Sequence, residues 1–215
     1  MVKTRLARSL PLPAVTALYR CFFDDTMALA RSLDAVEVAI MCPGSDVGEL
    51  AGLAGDAVRV VAQKGEGLAA GLTSVFAQFA EAGRRRMIAF NSDTPHLPVS
   101  VLQTAFEALS SNDLVVGPTH DGGYYLIGAK ATHPALFGGD GMGTTNALEA
   151  LLGRARTLEL SVGFTDPFYD VDVAADLIRL AAELRLDPAR APRTAAWLTE
   201  WEQAVTELRP VTGDL

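Results

Sequence analysis

The chain has 215 residues, is 49% hydrophobic and carries a formal net charge of −8, enough apolar material to bury one full core as a single domain. Its acidic balance, with a pI near 4.9, argues against a surface that tracks a nucleic-acid backbone, which needs Lys and Arg clustered on one face. No secretory n-region and h-region opens the sequence and no run of about 18 apolar residues occurs, so the expectation is a cytoplasmic protein that neither enters a membrane nor is exported.

In chain order, Lys3, Arg5 and Arg8 form a local basic cluster of the kind that neutralises a di- or triphosphate. After Pro13, the spacing of Val15, Leu18, Phe22, Leu29 and Leu33 predicts an amphipathic helix over 13–33. Apolar strands are predicted at Val36–Cys42, Val58–Ala62, Met87–Asn91, Leu114–Gly117, Tyr124–Ile127 and Leu158–Val162, with helical segments between most of them. This β/α alternation predicts a mainly parallel, Rossmann-like α/β sheet with helices on both faces and ligands beyond the carboxyl ends of its strands. A helix is predicted over Val173–Arg185, and from about 188 a helical C-terminal appendage carries Trp197 and Trp201 one turn apart. That pair is expected to pack back onto its own domain rather than to form a dimer contact, which leaves a homodimer open. Cys21 and Cys42 lack metal-ligand or redox spacing and read as core residues, and the three histidines lack the spacing of a zinc helix. Arg84–Arg86 reads as a solvated edge without a functional role.

The informative residues are aspartates after predicted strand ends. Asp93, in Asn91-Ser92-Asp93-Thr94-Pro95, follows an apolar strand and suits a metal ligand, although the same residues suit a polar turn. Asp170 and Asp172 flank Val171, and in extended backbone residues two apart point the same way, so both carboxylates would face one cation; Asp172 also suits the N-cap of the helix at Val173. A hard cation such as Mg²⁺, or Mn²⁺ in its place, is held by one or two carboxylates with substrate phosphates and water completing its shell. The segment Gly117-Pro118-Thr119-His120-Asp121-Gly122-Gly123-Tyr124-Tyr125 allows close backbone approach to a ligand, or is a glycine-containing turn.

Taken together, Val2-Lys3-Thr4-Arg5-Leu6-Ala7, Ser92-Asp93-Thr94-Pro95, Gly117-Pro118, Asp121-Gly122-Gly123-Tyr124-Tyr125-Leu126-Ile127-Gly128 and Asp170-Val171-Asp172 occur in an order that resembles small bacterial glycosyltransferase-A-like proteins related to 2-phospholactate guanylyltransferases. The resemblance runs from Val2 to about Leu180. It implies a nucleotide-diphospho-sugar transferase (GT-A) fold, with Lys3, Thr4 and Arg5 in the nucleotide-phosphate loop and Asp93 as principal metal ligand. By the same resemblance Asp170 and Asp172 form a second metal-binding segment, and Thr119, Asp121, Gly122 and Gly123 lie on the acceptor side. Gln63 and the Gly65–Gly71 segment, including Gly67, resemble a region that contacts the base. Two departures stand out: only Met1 and Val2 precede Lys-Thr-Arg-Leu where relatives have an apolar strand, and Asn91 stands where relatives commonly have Gly.

The expected activity is that of a Mg²⁺-dependent transferase taking a glycosyl group from a nucleotide sugar to a small acceptor, with Asp121 or His120 as base. The alternative is a nucleotidyltransferase that joins the NMP of a nucleoside triphosphate to a phosphorylated small molecule, where positioning and charge neutralisation by the cation, Lys3 and Arg5 suffice. A third reading is a non-catalytic nucleotide-binding module that lacks its first strand.

Overall fold

The computed structural model describes residues 5–55, 58–138 and 146–208. Its first long helix, α1 (Leu12–Arg31), has Pro in its first turn and buries a stripe of Ala14, Val15, Leu18, Phe22 and Ala30, the pattern of an amphipathic helix facing a core. Asp25 lies on the same stripe and is itself buried. A buried carboxylate needs donors, and Asp25 finds them in the backbone N–H groups of Arg193 at 3.1 Å and Thr194 at 2.8 Å. Those groups open α7 (Pro192–Glu200), whose first N–H groups have no partner within the helix. A side chain of α1 thus caps α7 in place of a local Ser or Asp.

The chain divides into two compact units. One is drawn from the stretch up to Leu33, Asn91–Val99 and the stretch from Phe168; the other from Asp34–Phe90 and Ser100–Pro167. In the first unit α1 and α7 pack with α6 (Ala174–Leu186) around Leu18, Phe22, Val171, Leu177, Leu180 and Leu198. Trp197 is buried in this core and stacks on Trp201 at 5.3 Å and 6°; the short α8 (Glu202–Thr206) adds Val205.

The second unit carries the strands. β1 (Ala39–Cys42) pairs in parallel with β2 (Arg59–Ala62), and the helix between them is α2 (Val47–Ala54). Then follow α3 (Gly67–Glu81), β3 (Met87–Phe90), α4 (Val99–Ser111, its first residue assigned to the first unit), β4 (Leu114–Pro118), β5 (Tyr124–Ala129), α5 (Ala147–Thr157) and β6 (Val162–Phe164). The four later strands form a sheet in the order β3-β5-β4-β6, in which β3, β4 and β6 run one way and β5 alone is reversed. The sheet is therefore mainly parallel, as its β/α alternation predicts. The core lies under β4 and β5, where Leu114, Val116, Ile127 and Ala129 pack with Phe76 of α3 and Leu151 of α5. β1 and β3 are apolar but mostly half-exposed, and among the described residues β1 pairs only with β2 and β3 only with β5; α3 packs on both.

Two strands start three or more residues later than the sequence reading places them. The last strand is Val162–Phe164 rather than Leu158–Val162, because α5 runs through Thr157 and its terminating turn takes Leu158 and Glu159, the latter at φ 54°. The Asp113 carboxylate then accepts the N–H and hydroxyl of Ser161 at 2.9 and 2.5 Å and fixes where β6 begins. The first strand starts at Ala39 rather than Val36, after Ala35 at φ 58°. Glu37, in the intervening stretch, is occupied instead by Arg84, which donates to it at 2.8 Å.

Candidate functional site

Asn91 follows β3 directly, and its side-chain amide organises the loop behind it. The Oδ1 atom accepts the backbone N–H of Asp93 at 3.2 Å and the hydroxyl of Thr94 at 3.3 Å, an Asx turn that fixes the course of Ser92-Asp93-Thr94. The Nδ2 atom donates to both carboxylate oxygens of Asp170, at 3.1 and 3.2 Å. The main chain adds a second tie, from the N–H of Val171 to the carbonyl of Asp93 at 2.9 Å. Ser92 hydrogen-bonds the Tyr19 hydroxyl of α1 at 3.0 Å. The first aspartate loop and the second aspartate segment, remote in sequence, therefore lie side by side in the first unit, with Asp93 and Asp170 half-buried.

Packing on the far side of the loop keeps it in place. Thr94 and Leu97 are buried, and His96 is sealed from solvent with its ring 4.7 Å from those of Phe168 and Tyr169. Arg190 donates two hydrogen bonds to the His96 carbonyl, at 3.0 and 2.6 Å, and the Arg179 guanidinium lies 3.8 Å over the Tyr169 ring. Burial, with Arg190 and Arg179 adding to it, lowers the His96 pKa from 6.5 to about 3, so the imidazole is neutral at physiological pH. The Tyr169 phenol is raised well above its usual value, first by burial and then by the Glu183 carboxylate.

Asp172 does not cap the following helix, which corrects one of its two sequence readings. The helix begins at Ala174, and the carboxylate of Asp176 accepts the N–H groups of both Asp172 and Val173 at 3.0 Å. Val173 holds the N-cap position, and Asp176, in the first turn, reaches back to the two N–H groups before the helix. Among the described residues no group of three or more His, Cys, Asp or Glu side chains converges to hold a metal. Asp93 and Asp170, on their paired segments, offer carboxylate oxygens, the donor type that a hard cation takes.

In the second unit the loop between β4 and β5 is held by its own residues. Asp121 Oδ1 accepts the Thr119 hydroxyl at 2.5 Å and the Gly123 N–H at 3.2 Å, and the Thr119 N–H donates to the Gly123 carbonyl at 3.0 Å. Gly122 sits at φ 88° and its carbonyl accepts the Leu148 N–H at the start of α5. A Cβ on Gly123 would lie 2.8 Å from the Thr119 hydroxyl, so the loop closes only around glycine. His120 and Asp121 are exposed. Beside them Tyr124 is pushed up to about 12 by burial, with Arg154 opposing the shift.

Gln63 and Gly67 occupy one turn before and into α3. The Gln63 N–H extends the β1–β2 pairing to the Cys42 carbonyl at 2.9 Å, and its side chain lies across Gly71, where a Cβ would come within 2.6 Å. Gly67 opens α3 at φ 78°. Arg5 is exposed, and Lys3 and Thr4 lie outside the described residues. Burial pushes up both cysteine thiols, with Cys42 buried and Cys21 half-buried, so neither is an activated nucleophile. Tyr19, Asn91 and His96 are site residues that sequence reading missed; for Asn91 the available signal was its place directly after a strand, where Asn forms turns.

A family model of uncharacterized proteins conserved in bacteria (DUF2064) matches residues 26–144. The chain belongs to this family. It is also similar to a solved structure of a candidate nucleotide-diphospho-sugar transferase from Desulfovibrio desulfuricans G20, at 28% identity and a TM-score of 0.89, covering 96% of this chain and 91% of that one. The DUF2064 chain thus has the glycosyltransferase-A-like fold that its motifs imply. No curated protein matches it. No helix among its described residues is long and apolar enough to cross a membrane.

Proposed function

We propose that this DUF2064 protein is a transferase that takes a glycosyl group from a nucleotide sugar to a small acceptor with the help of Mg²⁺ or Mn²⁺. The observation that carries the reading is the pairing of the Asp93 loop with the Asp170 segment through Asn91 and Val171, in a chain similar along nearly its whole length to a candidate nucleotide-diphospho-sugar transferase. Asp93 and Asp170 would hold the cation, with Asp172 on the same segment. When bound, the cation neutralises the donor phosphates and so stabilises the nucleoside diphosphate as it leaves. Lys3 and Arg5 would add positive charge at the same phosphates, and the Gln63–Gly67 turn would receive the base. The Thr119–Gly123 loop would present the acceptor, whose hydroxyl oxygen bonds to the anomeric carbon as the bond to the diphosphate breaks. The hydroxyl proton would pass to the Asp121 carboxylate, which the loop's own hydrogen bonds hold in place, or to the exposed His120.

A second reading, nucleotidyl transfer from a nucleoside triphosphate, draws on the same paired segments, because a second acidic segment beside the first suits a triphosphate donor. Calorimetric titration of the full chain with nucleotide sugars and nucleoside triphosphates, each with and without Mg²⁺, separates the two. Metal-dependent preference for a nucleotide sugar supports glycosyl transfer and preference for a triphosphate supports nucleotidyl transfer. Binding without turnover of any donor returns the chain to a nucleotide-binding module.

A further inference from the structure

Asn91 stands out because both ends of its amide are used, and each end meets the chemistry it fits. The carbonyl oxygen faces two donors, the Asp93 N–H and the Thr94 hydroxyl. The NH₂ group faces two acceptor oxygens on one carboxylate, that of Asp170. An amide turned the other way would set oxygen against carboxylate and NH₂ against N–H, so the network itself fixes the orientation. Asp in place of Asn91 would keep the turn and lose the clamp; Gly would lose both.

We infer that Asn91 is a positioning residue for Asp170: it holds the carboxylate beside the Asp93 loop so that the pair meets a divalent cation already arranged. The inference rests on the metal-holding role given to Asp93 and Asp170 above. A carboxylate held by a hydrogen-bond donor keeps its orientation without adding negative charge, and loss of such outer partners costs about 10–100-fold in metal affinity. Asn91 touches neither donor nor acceptor in this scheme and acts through the Asp170 carboxylate and the turn that carries Asp93.

The test uses the full chain and Mn²⁺ alone, with free Mn²⁺ counted by electron paramagnetic resonance, in wild type, Asn91→Ala, Asp170→Asn, the double variant and Asp93→Ala. Asn91→Ala is expected to weaken Mn²⁺ binding by about 10-fold or more. In the Asp170→Asn background the same change is expected to have a clearly smaller effect, since the carboxylate it clamps is gone and only the turn at Asp93 is left to lose. A merely structural residue would lower the melting temperature in both backgrounds without that coupling. Weaker binding in Asp93→Ala with unchanged binding in Asn91→Ala overturns the positioning role and leaves the proposed function standing; unchanged binding in both, or none in wild type, overturns both. Should Asn91→Ala fail to fold, Asn91→Asp reads the same contact. It sets two carboxylates together, so Mn²⁺ is expected to raise its melting temperature by more than it raises that of wild type, and an equal rise overturns the inference.

Discussion

The aspartate loop of the first unit and the glycine loop of the second both follow a strand and both present a carboxylate, yet they are held by different means. Asp121 is fixed by residues two positions away on either side, Thr119 and Gly123. Asp170 is fixed by a side chain 79 positions earlier. Other polar ties in the first unit have the same character: Asp25 caps a helix 169 positions on, and Arg190 reaches the carbonyl of a residue 94 positions back. The second unit relies on its strand ladders and a continuous apolar core. The first unit has an apolar core of its own, but a unit stitched from separate stretches of chain by single side chains makes the shape of its site depend on a few polar contacts.

Stability measurements sharpen this contrast. The largest expected effect is that of Asp25→Ala, which leaves two N–H groups at the start of α7 without their charged acceptor and is expected to cost about 3 kcal/mol in urea denaturation; a loss below about 1 kcal/mol would show that the polar ties of the first unit are incidental. In the second unit the comparable change is one of packing. Gly128→Ala places a Cβ 2.7 Å from a Val115 methyl and 3.0 Å from the Met87 carbonyl, and is expected to cost about 2 kcal/mol by overpacking.

His96 gives the first unit an acid sensitivity. Its folded pKa, about 3, lies below the unfolded value of 6.5, so the unfolded chain takes up a proton first as pH falls. The stability linked to the neutral ring is full above 6.5 and is lost at about 1.4 kcal/mol per pH unit between 6.5 and roughly 3. Glu183, Arg179, Arg190 and Tyr169 face the ring; of these only Glu183 favours the charged form. Denaturation curves of wild type and His96→Leu at pH 7.5 and 5 are expected to differ in their pH dependence by this amount, and parallel curves would contradict it. The smallest effect belongs to the self-contained loop. Gly122→Ala forces a side chain into φ 88° at a cost of about 1–2 kcal/mol, and is expected to weaken acceptor binding while donor binding, measured by calorimetry, stays unchanged.

The same contrast separates what could be read from the sequence from what could not. Periodicity found α1, α6 and five of the six strands to within a few residues because each is encoded in a short window. It misplaced β6, whose start depends on Asp113 gripping Ser161 across 48 positions. The Thr119–Gly123 loop was legible as a glycine-containing turn, since its hydrogen bonds are local. The aspartates at 93 and 170 were legible as a chemical type, but the residue that joins them was not. Asn91 looked like a departure from a glycine pattern, and only the fold shows that its amide spans two segments. The N-cap alternative for Asp172 fails because the helix starts at Ala174, one residue later than its sequence pattern suggests, which puts Val173 at the N-cap.

The proposed function puts the metal-dependent donor site at the Asp93 loop. Its most direct test is calorimetric titration of wild type and Asp93→Ala with the nucleotide donor selected by the screen, with and without Mg²⁺, alongside a melting curve for each. Asp93→Ala is expected to melt near wild type and to lose the Mg²⁺-dependent part of donor affinity. Unchanged metal-dependent affinity in a folded Asp93→Ala would contradict it.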